Sequence, residues 1–295
     1  MKKLIFILAI FIFFFSAFAS ANNYSLQKNP DLRLKVKTEQ NQEKLTEYKK
    51  YINTLPKNKI ESITNAKNKY FQLFSVSDSL NLKDKAFFLF QKKYMEIIDD
   101  QQSAIGFMDG LHIYKEIKKD YCDIDKKRLK QKEDYYKQYG LKLNYIYKGY
   151  VPDIDYNYLI NQFKTYISPQ MKEYLSFCFK NPNLDVIDEG EVLINWDKLR
   201  ERLIYLENFI NKNPDFAAKD FAKESLNWYL DLYTGETSSL YSNNFDTQDY
   251  IRDDAKHSFE IFIKQNKSSK YYLRIYKKYN QLKKYNFNIS KYNQY

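Results

Sequence analysis

The side chains able to do chemistry are few in this chain, and they are scattered. His112 and His257 are the only histidines, and Cys122 and Cys178 the only cysteines. Glu116 follows His112 by four residues, so one helix face carries both. That is half a metal site, because zinc takes three or four ligands. A solvated or hydrogen-bonded imidazole is the plainer reading. His257 stands near Asp253 and Asp254, where a surface ion pair is expected. Asp185, Asp188, Glu189 and Glu191, with Asp197 beyond, form an acidic run whose oxygens are of the kind calcium takes. The alternating Asp/Asn pattern around a central Gly is missing, however. Gly190 marks a turn, and acids ahead of a helix suit its N-terminal dipole. No Gly-x-Ser-x-Gly elbow, His-Glu-x-x-His pair or Gly-rich phosphate loop occurs. The cysteines lack the Cys-x-x-Cys spacing of a redox enzyme. The sequence therefore assigns no catalytic residue, no metal and no cofactor.

Two other features bear on binding and stability. The chain carries 29 tyrosines, with clusters at Tyr135, Tyr136 and Tyr139, at Tyr145, Tyr147 and Tyr150, and at Tyr271, Tyr272, Tyr276 and Tyr279. Most fall at helical stripe positions and are read as core. Tyr145, Tyr147 and Tyr150 lie in a non-helical stretch and form the candidate exposed binding surface, since tyrosine suits contact with sugars and protein partners. Cys122 and Cys178 define one candidate disulfide. It would close a loop of about 57 residues, worth roughly 4 kcal/mol on the chain-entropy account. The alternative is two buried thiols, because Cys178 shares an apolar face with Met171, Tyr174 and Leu175.

The bridge is admissible because of the N-terminus. Lys2 and Lys3, an apolar run from Leu4 to Phe15, and Ala19-Ser20-Ala21 have the order of a cleavable secretory signal. The run is short for the ~20 apolar residues that span a bilayer. Neither cysteine stands at the cleavage site, which excludes a lipid anchor there. The expected location is periplasmic or secreted, in a bacterium, with no transmembrane anchor after cleavage.

The formal net charge is +11. A basic exported protein meets anionic polymers or lipids readily. But 42 of the basic residues are lysine and 6 arginine, and arginine is the residue planar phosphate recognition prefers. Nucleic acid is not expected as a partner; a protein or an anionic envelope polymer is.

Six glycines and six prolines are too few for a turn-rich sandwich or barrel. Apolar residues recur in steps of three and four, as at Ile60, Ile63, Ala66 and Tyr70, or Trp196, Leu199, Leu203 and Leu206. The fold is read as all-α: antiparallel helical hairpins in an irregular or repeat-like stack, with a short extended segment near 141–150. There Leu141, Leu143, Tyr145 and Tyr147 alternate with the period of a strand. The expected organisation is a signal peptide over residues 1–21, a flexible leader over 22–38, an N-terminal helical region over 39–140, a C-terminal region with repeat-like hairpins over 141–285, and a polar tail over 286–295.

The segment from Glu207 to Asn213, Glu-Asn-Phe-Ile-Asn-Lys-Asn, returns 53 residues on as Glu260 to Asn266, Glu-Ile-Phe-Ile-Lys-Gln-Asn. Tyr51 to Pro56 is a poorer third copy. This pattern resembles the helix–turn–helix pairs of tetratricopeptide-like repeat proteins, including bacterial envelope assembly factors. The spacing exceeds that family's unit of about 34 residues, and its Trp-Leu-Gly-Tyr signature is missing. The resemblance implies a stacked scaffold with a peptide- or protein-binding groove, and no binding residue carries over. The expected function is an exported, non-enzymatic helical scaffold or binding protein of the bacterial envelope. The alternative is an exported hydrolase acting on a cell-wall polymer through carboxylates of the acidic run.

Overall fold

The computed structural model describes residues 30–105, 126–146, 149–183, 186–188, 191–236, 240 and 250–288. The signal segment 1–21 lies outside them, as do His112, Glu116, Cys122, Tyr147, Asp185, Glu189 and Gly190. Ten helices and two short antiparallel ribbons make up the described chain. None of these helices is long and apolar enough to cross a membrane.

Helices α1 (Pro30–Thr54), α2 (Glu61–Leu73) and α3 (Leu80–Ile105) pack against one another. Helix α1 begins at Pro30, so it takes in residues 30–38, which the sequence assigned to a leader. Proline is well tolerated in the first turn of a helix, where its missing N–H would have had no partner. The shared core is aromatic. Tyr48 from α1, Tyr70 from α2 and Phe87, Phe90 and Tyr94 from α3 are all buried. Buried tyrosines need partners for their hydroxyls. The Tyr48 hydroxyl donates to the Ala66 carbonyl at 3.0 Å, that of Tyr70 to Lys83 at 3.2 Å and that of Tyr94 to Tyr139 at 2.8 Å. Burial raises all three pKa values, so these tyrosines stay neutral.

Helix α4 (Lys126–Lys137) leads through Gly140, at φ +79°, into strands β1 (Leu141–Ile146) and β2 (Gly149–Ile154). A Cβ at Gly140 would run into the Tyr158 ring. The alternation seen at 141–147 becomes an antiparallel hairpin in which Leu141 faces Ile154 and Tyr145 faces Tyr150. Strand β2 packs on α3 and β1 on α4. The hairpin does not interrupt the core. On its far side, α5 (Tyr156–Phe163) sends Phe163 back among Tyr70, Phe71, Phe87 and Phe90.

Helix α6 (Pro169–Lys180) starts as its Ser168-Pro169 signal predicts. The Ser168 hydroxyl accepts from the Met171 N–H at 3.1 Å. The Ser168 N–H itself donates to the buried Asp84 carboxylate at 2.9 Å, fastening α6 to α3. Burial holds the Asp84 carboxyl above the usual range, against the opposing pull of the Ser168 bonds. The acidic run forms a two-residue ribbon, β3 (Ile187–Asp188) with β4 (Glu191–Val192).

Helices α7 (Trp196–Lys212) and α8 (Lys219–Thr234) form one hairpin, and α9 (Asp253–Gln265) and α10 (Tyr272–Lys284) another. Helix α9 lies on α7. The two copies of the seven-residue pattern end α7 and α9 in the same way. Asn213 and Asn266 are their C-caps, with N–H groups donated to the Phe209 and Phe262 carbonyls. Both phenylalanines are buried. One contiguous hydrophobic cluster runs from Tyr48 to Leu282.

Candidate functional site

Two helices present the site. The buried face of α6 carries Tyr174 and Phe177 at steps of three, with Cys178 one turn beyond Tyr174. Helix α7 starts at its Asn195 cap, whose side chain accepts from the Asp197 N–H at 2.8 Å. It then buries Leu199, Arg202, Leu203 and Leu206 on one stripe. Arg202 and Glu207 are the charged residues buried on this helix. The spacing of three from Leu199 to Arg202 was the legible signal that sequence reading passed over.

Two cavities open side by side over these helices. The first, about 200 Å³, lies between α3, β2, α6 and α8, and is lined among others by Asp99, Asp153, Tyr156, Tyr174, Cys178 and Tyr229. The second, about 540 Å³, lies between α6 and α7 and is lined by Glu173, Lys180, Lys198, Glu201, Arg202 and Tyr205. Phe177 and Asn181 line both, so the two form one groove. The Phe177 and Tyr205 rings stack within 2° of parallel at 4.6 Å. The Tyr229 hydroxyl donates to Asn183 Oδ1 at 2.6 Å and lies 3.5 Å from Arg202 Nη1, which joins the cavities at their floor.

The thiol and the Tyr156 and Tyr174 phenols of the first cavity are held in their neutral forms. Burial pushes the Cys178 thiol up to about 12, outweighing its bonds to the Tyr174 and Tyr156 hydroxyls. Burial also raises Tyr156 and Tyr174 well above the usual phenol range. Asp99 is raised by burial and then by Glu96. Asp153 accepts hydrogen bonds from Asn144 Nδ2 at 2.8 Å and from the Ile154 N–H at 2.7 Å.

Cys178 is a free thiol, so the bridge considered from the sequence is not formed in this structure; Cys122 lies outside the described residues. The half-buried Cys178 thiol instead shares hydrogen bonds with the Tyr174 and Tyr156 hydroxyls. Thiolate is the reactive form, so a thiol raised this far is inert near neutrality. In a Cys122→Ser variant, Cys178 should react with an aromatic disulfide reagent at pH 8 at least ~100-fold more slowly in the folded protein than in denaturant. Equal rates, followed by absorbance, would show the thiol to be open and ionisable.

Tyr145 and Tyr150 meet as cross-strand partners, their rings edge to face at 5.2 Å. Tyr145 is exposed and Tyr150 half-buried. The strand carrying Tyr150 also supplies Asp153 and Ile154 to the first cavity. His257 is exposed on α9. In the acidic run, Glu191 lies 3.9 Å from Arg252, and Asp197 pairs with Arg200 at 2.6 Å. Among the described residues, no group of three or more His, Cys, Asp or Glu side chains is arranged to hold a metal ion. The residues that do converge, Asp99, Asp153, Tyr174, Cys178, Arg202 and Tyr229, come from five elements with no common motif.

No protein-family model matches this chain, and neither a curated protein nor a solved structure matches it.

Proposed function

We propose that this chain is an exported, non-enzymatic binding protein of the bacterial envelope, and that the groove over α6 and α7 receives its partner. The observation that carries this reading is the pair of adjoining cavities sharing Phe177 and Asn181. Their walls mix aromatic rings with hydrogen-bonding groups, the composition that suits ligand sites. The first cavity's would-be nucleophiles, the Cys178 thiol and the Tyr156 and Tyr174 hydroxyls, are kept protonated by burial. Such groups orient a ligand by hydrogen bonds and do not attack it. The signal-like N-terminus supplies the envelope address, and the stacked hairpins supply a rigid frame.

An exported hydrolase acting on cell-wall polymer is the second reading. One observation favours it: Asp99 and Asp153 both line the first cavity, and Asp99 is raised as a general acid would be.

Both readings meet one experiment. The full chain is incubated with intact envelopes, crosslinked and analysed beside Tyr205→Ala and Lys198→Glu variants, which alter the groove rim. A binding protein captures a defined partner that both variants lose by at least ~10-fold, a difference of about 1.4 kcal/mol. Identical capture by wild type and variants refutes the groove. Soluble wall fragments released by wild type and not by Asp99→Asn would establish the hydrolase instead.

A further inference from the structure

Arg202 is 7 % exposed, and its guanidinium lies over the Tyr229 ring, 5.7 Å from the ring centre, with no acid beside it among the described residues. Its Nε has no hydrogen-bond partner. Its Nη1 reaches the Pro182 carbonyl at 3.3 Å and the Tyr229 hydroxyl at 3.5 Å, both beyond the common range for N–H···O bonds. Among the described residues no carboxylate stands within ion-pair distance of it. Arg200, Arg252 and Arg274, by contrast, each pair with an acid. A charge withdrawn from water without a counter-ion costs several kcal/mol.

Resting on the groove as a binding site, we propose that Arg202 anchors the free C-terminal carboxylate of a peptide partner. Arg202 lines the second cavity, so an anion entering that cavity comes beside a cationic residue. The planar guanidinium fork matches a carboxylate in two parallel hydrogen bonds, and partial burial strengthens them. The rim selects a peptide end over a polyanion. Lys180 and Lys198 are matched there by Glu173 and Glu201. A polymer with a phosphate in every unit would meet both glutamates. A peptide end brings one carboxylate, neutral amides and side chains of either kind. The stacked Phe177 and Tyr205 rings give those side chains a flat apolar wall beside the anchor. The second cavity also has the volume usual for small-ligand sites.

The test uses the full chain and a tetrapeptide library made twice, with free carboxyl ends and with C-terminal amides. Retained peptides are identified by mass spectrometry and measured by calorimetry. Free acids should bind at least ~10-fold more tightly than their amides, or about 1.4 kcal/mol. Arg202→Met should abolish that preference while leaving the melting temperature of the free protein unchanged or higher, since it removes a buried charge that pairs with no acid. If Arg202→Met melts lower, Arg202→Lys decides: it keeps the charge but loses the fork, and should keep the fold while losing most of the preference. Equal retention of acids and amides overturns the proposal. So does a lower melting temperature in both variants with the preference intact, the mark of a purely structural arginine. Poly(glycerol phosphate) binding that depends on Arg202, without any peptide preference, would reassign the anchor to an envelope polymer. Should the acid preference fail while Tyr205→Ala and Lys198→Glu still lose the envelope partner, the anchor falls and the groove stands. Failure of both removes both.

Discussion

Phe163→Ala is expected to lower folding stability by about 4–5 kcal/mol, the upper part of the range for a buried phenylalanine. The ring is fully buried. It lies 5.1 Å from Tyr70, 5.0 Å from Phe71, 4.8 Å from Phe87 and 5.2 Å from Phe90, so two other helices, α2 and α3, meet on it. Truncation removes the transfer energy of the ring and its aromatic contacts, the two edge-to-face ones with Tyr70 and Phe87 worth ~0.5–1.5 kcal/mol each, and leaves a hole between aromatic walls. Rings held by two helices cannot collapse into that space as a run of leucines could. Denaturant unfolding followed by tyrosine and tryptophan fluorescence measures the loss. Phe179→Ala is the matched control. Phe179 is 43 % exposed on the outer side of α6, and its change should stay within about 0.5 kcal/mol. A loss under 1 kcal/mol at Phe163 would mean that the hairpin and α5 are not joined to the N-terminal helices as described.

Glu207→Ala should cost about 2–4 kcal/mol, while Glu260→Ala, the equivalent position in the second copy of the pattern, should cost less than about 1. Glu207 is 5 % exposed. Its carboxylate accepts from the Ser269 hydroxyl at 2.6 Å and from the Lys270 N–H at 2.8 Å. It therefore ties α7 to the turn that opens α10, its partners standing 62 and 63 positions further along the chain. Removing it leaves two donors unsatisfied near the core, each worth about 1–3 kcal/mol, and the relief of a desolvated carboxylate offsets part of that. Glu207→Gln, which keeps one acceptor oxygen, should recover part of the loss. Glu260 is exposed and accepts from the Tyr279 hydroxyl at 3.1 Å, a bond that water can replace. Equal costs at the two positions would show that Glu207 does not hold the two hairpins together.

The contrast between these glutamates marks how far the sequence was legible. The shared pattern predicts that both helices end at an asparagine, and both do. That agreement is local: a helix end depends on the few residues around it. The burial of Glu207 depends on where α10 begins, which no seven-residue pattern records. The same division runs through the hairpin. Alternation at 141–147 announced an extended segment because side chains in a strand point to opposite faces in turn. It could not say that β2 would lie on α3 and so deliver Asp153 to a cavity beside Asp99. The leader was misjudged at its end for the opposite reason. Residues 30–38 lack an apolar stripe, yet they continue the helix that Leu45, Tyr48 and Ile52 anchor, since extending a formed helix is far easier than starting one.

By itself, then, the sequence determined the helical class, the starts at Ser168 and Asn195, the stops at Asn213, Gly235 and Asn266, and the aromatic character of the core. These follow from periodicity and from capping, which act over one or two turns. Only the tertiary structure decided that Arg202 would be buried without an acid, that Cys178 would sit among tyrosine hydroxyls, and that Phe177 would wall two cavities at once. Those outcomes depend on which helices become neighbours. Desolvation and charge pairing are set by neighbours brought from tens of residues away, and they give ordinary side chains the properties a site needs.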